Sequence, residues 1–165
     1  MTGAGEVQLV MPRGTREFQS LARLAAGLAS HHAEVEQPAV AALCRDHGRW
    51  FDAVLARTAE GVDVAFAAWH GFYIVQKGQK GIELQNLFVE EDWRGRKIGF
   101  LLVCHVVREA LAAQCDLLHI GVRKDNALAI AFYQRLGCRL TDRNVNWRCS
   151  LDAAGMRALL EAAGG

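Results

Sequence analysis

In the segment Leu87-Phe88-Val89-Glu90-Glu91-Asp92-Trp93-Arg94-Gly95-Arg96-Lys97-Ile98-Gly99, an apolar strand passes through a charged turn straight into a glycine-marked helix start. The first turn of a helix leaves several N–H groups unpaired, and the helix dipole adds about half a unit of positive charge there, so a phosphate fits. Gly95 and Gly99 let backbone approach a ligand, and Arg94, Arg96 and Lys97 bring three cations within four residues. The chemistry this suggests is a pyrophosphate clamp. It is built on neither the GxxxxGKS/T loop nor the GxGxxG fingerprint, both of which are missing. Beside Glu90-Glu91-Asp92, the same cations also fit a solvated turn that balances its own charge.

The surrounding elements are legible from periodicity. Glu6 to Met11 reads as a strand, and Thr15 as the cap of a helix carrying Phe18, Leu21, Leu24, Ala25 and Leu28 at helical spacing. A second helix runs from Pro38 to Gly48, and Trp50 to Thr58 alternates as a strand. Turns at Ala59-Glu60-Gly61 and at 77–81 separate the strands Val62 to Val75 and Ile82 to Val89, giving three antiparallel strands. Ile98, Leu101, Leu102, His105, Val106 and Glu109 line a helix reaching about Gln114. Asp116 to Val122 is a strand and Asn126 to Leu136 a helix ended by Gly137. Cys138 to Thr141 and Asn146 to Leu151 are short strands, and a surface helix follows from Asp152. The order is βααβββαβαββ, an α/β layer structure forming one domain over residues 1–165.

Composition narrows the function. With 165 residues and 52% hydrophobic content the chain can bury one substantial core. A net charge of +1, with dispersed basic residues, speaks against a nucleic-acid footprint, including one centred on Arg94 to Lys97. Five cysteines (44, 104, 115, 138 and 149) form no CxxC pair and read as reduced core residues. The N-terminal residues show no leader pattern and no apolar run approaches a membrane span, so we expect a cytoplasmic protein with no membrane partner.

The turn Arg94-Gly95-Arg96-Lys97-Ile98-Gly99 between a strand and a helix, followed by a strand and by Asn126 to Gly137 with Phe132-Tyr133 and Leu136-Gly137, resembles the GCN5-related N-acetyltransferase (GNAT) superfamily. Leu87-Phe88-Val89 and Trp147 bring it nearest to the spermidine/spermine and thialysine acetyltransferase branch. The resemblance implies a mixed, mostly antiparallel central sheet with helices on both faces, a homodimer, and acetyl-CoA as co-substrate in an opening between the ends of Ile82 to Val89 and Asp116 to Val122. It assigns Leu87, Phe88 and Val89 to the pantetheine arm. Arg94, Gly95, Arg96, Lys97, Ile98, Gly99 and Phe100 go to the pyrophosphate, and Asn126 to the cofactor from the other side. The family's turn runs Gln/Arg-x-x-Gly-x-Gly/Ala, and Lys97 stands where its first glycine is expected. We therefore expect Lys97 to keep an ordinary φ, with its ammonium near a phosphate.

The same resemblance makes Tyr133 the catalytic acid beside the thioester sulfur. A phenol of pKa about 10 can protonate a thiolate of pKa about 8.5. An alkylamine of pKa about 10.4 must lose its proton, at about 4.6 kcal/mol at pH 7, and either Glu83 through water or His119 could accept it. Where the polyamine branch carries two acids, this chain has Gln85-Asn86. His31-His32 replace an aromatic and an acid, and Val145 replaces another acid. These four residues, His31, His32, Gln85 and Asn86, are the expected acceptor site. The acceptor is a primary amine less cationic than spermidine: an amino acid, a small amine or an amino sugar. Adjacent His31 and His32 point about 100° apart on a helix and complete no ligand set, so no metal is expected. A catalytically inactive acyl-CoA-binding regulatory module is the alternative reading.

Overall fold

The computed structural model describes residues 7–29, 37–143 and 146–164. Seven strands hydrogen-bond in the order β1-β2-β3-β4-β5-β7-β6, accompanied among the described residues by five helices. The β4–β5 pair is parallel, whereas β1–β2, β5–β7 and β6–β7 are antiparallel. The chain divides into two compact units, residues 1–68 with 86–103 and residues 69–85 with 104–165.

The first unit begins with β1 (Val7–Val10), α1 (Thr15–Ala29), α2 (Val40–Asp46) and β2 (Asp52–Thr58). β1 pairs with β2 from Val7↔Thr58 to Val10↔Leu55. Phe18, Leu21 and Leu24 recur at helical spacing on α1 and pack on Ala53 and Leu55 of β2 and on Phe66 and Ala68 of β3 (Asp63–Ile74). Removing one of these larger side chains costs about 2–5 kcal/mol, because the cavity left behind cannot fully collapse. Thr15 is the first residue of α1, ahead of which the Gly14 N–H donates to the Glu17 carboxylate at 3.0 Å. α2 starts two residues after the expected Pro38, with Ala39 at its cap.

A polar network around buried Asp63 ties α1 to the β2–β3 hairpin. Arg57 donates through Nε and Nη2 to the two Asp63 carboxylate oxygens at 2.8 and 3.0 Å, and through Nη2 to Glu17 at 3.2 Å. Arg16 donates to the Gly61 carbonyl at 2.8 Å, where Gly61 takes φ 84 in the tight turn. Arg23 reaches both the Asp63 carbonyl and Glu90.

In the second unit, β3 turns through Val75–Lys77 and Gly78 into β4 (Gln79–Val89). β5 (Leu117–Arg123), β6 (Arg139–Arg143) and β7 (Asn146–Asp152) complete its strands. α4 (Ala127–Arg135), α5 (Ala153–Gly164) and the C-terminal part of α3 (Ile98–Ala112) supply its helices. Leu118, Ile120, Cys149 and Leu151 share one buried face by register and alternation. The expected surface helix at the C-terminus is a packed one: α5 buries Met156 and Leu159, and Asp152 accepts from the Gly155 N–H at its start. The helical stripe of α3 also differs from expectation. Leu102, Val103, Val106, Val107 and Ala110 are buried, while Leu101 and His105 are only half-buried and Glu109 is exposed. Not every cysteine is a core residue either, since Cys44 is exposed.

Candidate active site

The expected phosphate-binding stretch lies wholly in the first unit. Leu87, Phe88 and Val89 end β4, a single turn covers Glu91–Trp93, and α3 begins at Ile98. Arg94, Gly95, Arg96 and Lys97 are exposed, Gly99 and Phe100 are half-buried, and Ile98 is buried. The Arg94 side chain donates to the Val89 carbonyl at 3.0 Å, pinning the turn to the strand it left. The Arg96 guanidinium lies over the Trp93 ring, 4.7 Å from its centroid. Phe88 packs against Phe66, with centroids 6.4 Å apart.

Lys97 does not keep an ordinary φ. It takes φ 63, and Gly95 takes φ 75. The reason lies in the helix start: the Lys97 carbonyl accepts from the Leu101 N–H at 3.1 Å, so Lys97 is the last residue before the helical ladder and must turn the chain onto its axis. The left-handed conformation costs a residue with a Cβ roughly 1–2 kcal/mol. The turn thus keeps the conformation that a glycine adopts freely, and fills it with a cation.

The second unit holds Gln85, Asn126 and Tyr133. Its β4–β5 ladder joins Gly81↔Leu117 through Leu84↔Ile120, and Gln85, the next residue along β4, is exposed. Glu83 and His119 form the penultimate pair of that ladder, and His119 also registers with Ser150 of β7. Cross-strand partners point to the same face, so an acid, an imidazole and a hydroxyl stand in one row. Asn126 caps α4, its Oδ1 accepting from the Ala129 N–H at 3.0 Å, a structural duty that the sequence also signals. Tyr133 is buried on α4 beside Phe132. Burial, with smaller contributions from Cys149 and Cys138, pushes its phenol well above the ordinary range, so it is protonated at physiological pH. Asn86 lies in the first unit and is half-buried. His31, His32 and Val145 lie outside the described residues. Among the described residues no group of three metal-ligating side chains occurs, and no helix is long and apolar enough to cross a membrane.

Compared with known families, residues 28–138 match the model of the acetyltransferase (GNAT) family. The chain belongs to that family. A thialysine N-epsilon-acetyltransferase of Bos taurus is 28% identical over 97 residues, which span 58% of this chain and 56% of that protein. Among solved structures, a mutant of the BH1408 protein from Bacillus halodurans superposes with a TM-score of 0.75 at 19% identity, covering 84% of this chain and 96% of that one. A chain of the NatC complex bound to Gag peptide and CoA gives a TM-score of 0.72 at 14% identity, covering 89% and 98%. These two likenesses carry the fold, which is the α/β arrangement with a seven-stranded mixed sheet that this GNAT family member shows.

Proposed function

We propose that this GNAT chain is an acetyl-CoA-dependent N-acetyltransferase that passes an acetyl group directly to a primary amine of a small molecule, with residues 1–165 acting as one domain. The observation that carries the reading is the turn from Arg94 to Lys97. Two left-handed residues, one of them a lysine, deliver the chain into the first turn of α3, where unpaired amides and the helix dipole suit a diphosphate. The NatC complex, one chain of which shares the fold, is bound to CoA, and this supports the same cofactor here. The thialysine acetyltransferase likeness supports a small amine acceptor. Acidic partners for a polycation are absent at Gln85 and Asn86, which favours an amino acid, a small amine or an amino sugar. Free thiols support a cytoplasmic setting, and the family resemblance a homodimer.

In this reading the backbone of Leu87 to Val89 pairs with pantetheine, and the amides from Gly95 to Phe100 hold the pyrophosphate. Asn126 contacts the cofactor with whatever hydrogen-bonding capacity its cap leaves. Tyr133 hands a proton to the departing thiolate, and either Glu83, through water, or His119 takes one from the incoming amine. Positioning is the largest contribution, because a well-oriented pair of reactants is worth about 7–11 kcal/mol. The test follows free thiol while protein, acetyl-CoA and a panel of amines are mixed. Sustained thiol release with a small primary amine supports the proposal. Tight acetyl-CoA binding without turnover of any amine would replace it with a regulatory acyl-CoA sensor.

A further inference from the structure

Phe72 of β3 and His119 of β5 stand on strands that are not neighbours, because β4 runs between them. Their rings nevertheless stack, with centroids 4.6 Å apart and planes 12° from parallel. The contact depends on Gly81, the only glycine of β4. A Cβ there would lie 2.5 and 2.8 Å from the Cζ and Cε1 atoms of Phe72, so the ring passes over β4 where no side chain rises. The stack fixes the plane of an imidazole that would otherwise be free to turn on the strand. Alternation puts Gly81, Glu83 and Gln85 on the same face as Leu117, His119 and Gly121, with Glu83 directly opposite His119. Gly121 is exposed, and nothing lies within 4 Å of where its Cβ would stand. It follows His119 by two residues, about 6.6 Å along β5, past the last pair of the ladder, Leu84↔Ile120. The imidazole thus has an aromatic ring on its face, a carboxylate across the ladder and open space at the ladder's end. The other two histidines of this unit differ: His70 Nδ1 and His105 Nε2 are buried with no hydrogen-bond partner, and His105 meets Trp69 edge-on.

We propose that Phe72 is a positioning residue for acetyl transfer: its stack holds the His119 imidazole ready to take the proton of the acceptor ammonium, which makes His119 rather than Glu83 the base. The inference rests on the acetyltransferase reading above and selects between its two proton acceptors. A ring nitrogen of His119 takes the proton as the ammonium N–H bond breaks. The electron pair of that bond stays on the amine nitrogen as the lone pair that attacks the acetyl carbon. The ring becomes an imidazolium whose charge lies over the Phe72 face, where the aromatic quadrupole attracts it, and opposite the Glu83 carboxylate. The proton then passes to water, and His119 returns to its neutral form. Phe72 acts only through His119, by holding the ring before the transfer and stabilising its charge after it.

The test compares Phe72→Leu with the unsubstituted full chain by free-thiol release, with acetyl-CoA and the best small primary amine. The expected result is a kcat lower by about tenfold with the KM for acetyl-CoA unchanged, since part of the general-base contribution is lost with the geometry. In a His119→Gln background the same substitution should slow turnover no further. Proton NMR without substrate reads the stack itself. The His119 Hε1 resonance, identified by its loss in His119→Gln, should lie upfield under the Phe72 ring and move downfield in Phe72→Leu. Equal losses of rate from Phe72→Leu in both backgrounds would reduce it to a structural role and overturn the proposal. Parental kcat in either Phe72→Leu or His119→Gln would overturn it too. If the unsubstituted chain releases no thiol with any amine, the acetyltransferase reading itself falls, whereas release that persists undiminished in Phe72→Leu removes the positioning role alone. Phe72→Met repeats the comparison if the leucine variant does not fold.

Discussion

Phe72 stacks face to face on His119, ring centroids 4.6 Å apart and planes 12° from parallel, across a point on β4 where Gly81 leaves room. A Cβ at Gly81 would stand 2.5 Å from the Phe72 ring and 2.7 Å from the Leu117 carbonyl oxygen. The ring can shift but the backbone oxygen cannot, so Gly81→Ala should cost about 1–3 kcal/mol as an overpacking change. Urea unfolding should show it as a lowered midpoint with unchanged slope.

The ion network under α1 sets the acid limit of stability. Asp63 is 3% exposed. Burial alone would raise its pKa, but hydrogen bonds from Arg57 and Ser20 outweigh this and hold it below the usual carboxylate range. The Arg57 hydrogen bond likewise lowers Glu17. Depressed carboxylates contribute stability above their unfolded values, near pH 4, and lose it as pH falls through the folded ones. Urea midpoints should therefore hold steady from neutral down to about pH 5 and decline below about pH 4. In Asp63→Asn, Arg57 loses its bidentate partner. That variant should be about 3 kcal/mol less stable at pH 7, with a shallower acid decline.

Lys97 makes opposing demands on folding and binding. In Lys97→Gly the left-handed strain disappears, and thermal unfolding should show a gain of up to about 1 kcal/mol, part of the relief being spent on the freer unfolded chain. The proposed phosphate contact disappears too, and a charge-assisted hydrogen bond is worth about 1.5–3 kcal/mol. Calorimetry should then find acetyl-CoA bound at least about tenfold more weakly. Unchanged affinity would leave the lysine with no phosphate role.

Tyr133→Phe separates chemistry from binding. If the phenol supplies the proton to the thiolate, kcat should fall by about a hundredfold or more while the KM for acetyl-CoA changes little. The hydroxyl is buried and protonated at every pH near neutrality, so the pH profile of the unsubstituted protein should show no limb from this group. Steady-state rates across pH 6 to 10 check both points. Full turnover in the phenylalanine variant would exclude the tyrosine.

The sequence carried most of the fold because its signals were local. The 3.6-residue spacing of Phe18, Leu21 and Leu24 located α1, and Gly61, Gly78 and Gly137 marked turns where the backbone does take positive φ. The β4-turn-α3 junction was legible for the same reason. The φ of Lys97 was not, because local preference opposes it and only the demand of the helix start imposes it. The burial of α5 was also missed. Met156 and Leu159 are buried, but their spacing alone does not distinguish a helix packed on the core from one at the surface. Gln85 and Asn86 were placed correctly on β4.

Trp93 under the Arg96 guanidinium gives the protein an optical gauge of its own. Indole emission responds to a full charge held over the ring face, and a diphosphate bound as proposed would compete for that same charge. Ligand capture at the loop would thus register as a colour change in native fluorescence, with no dye attached.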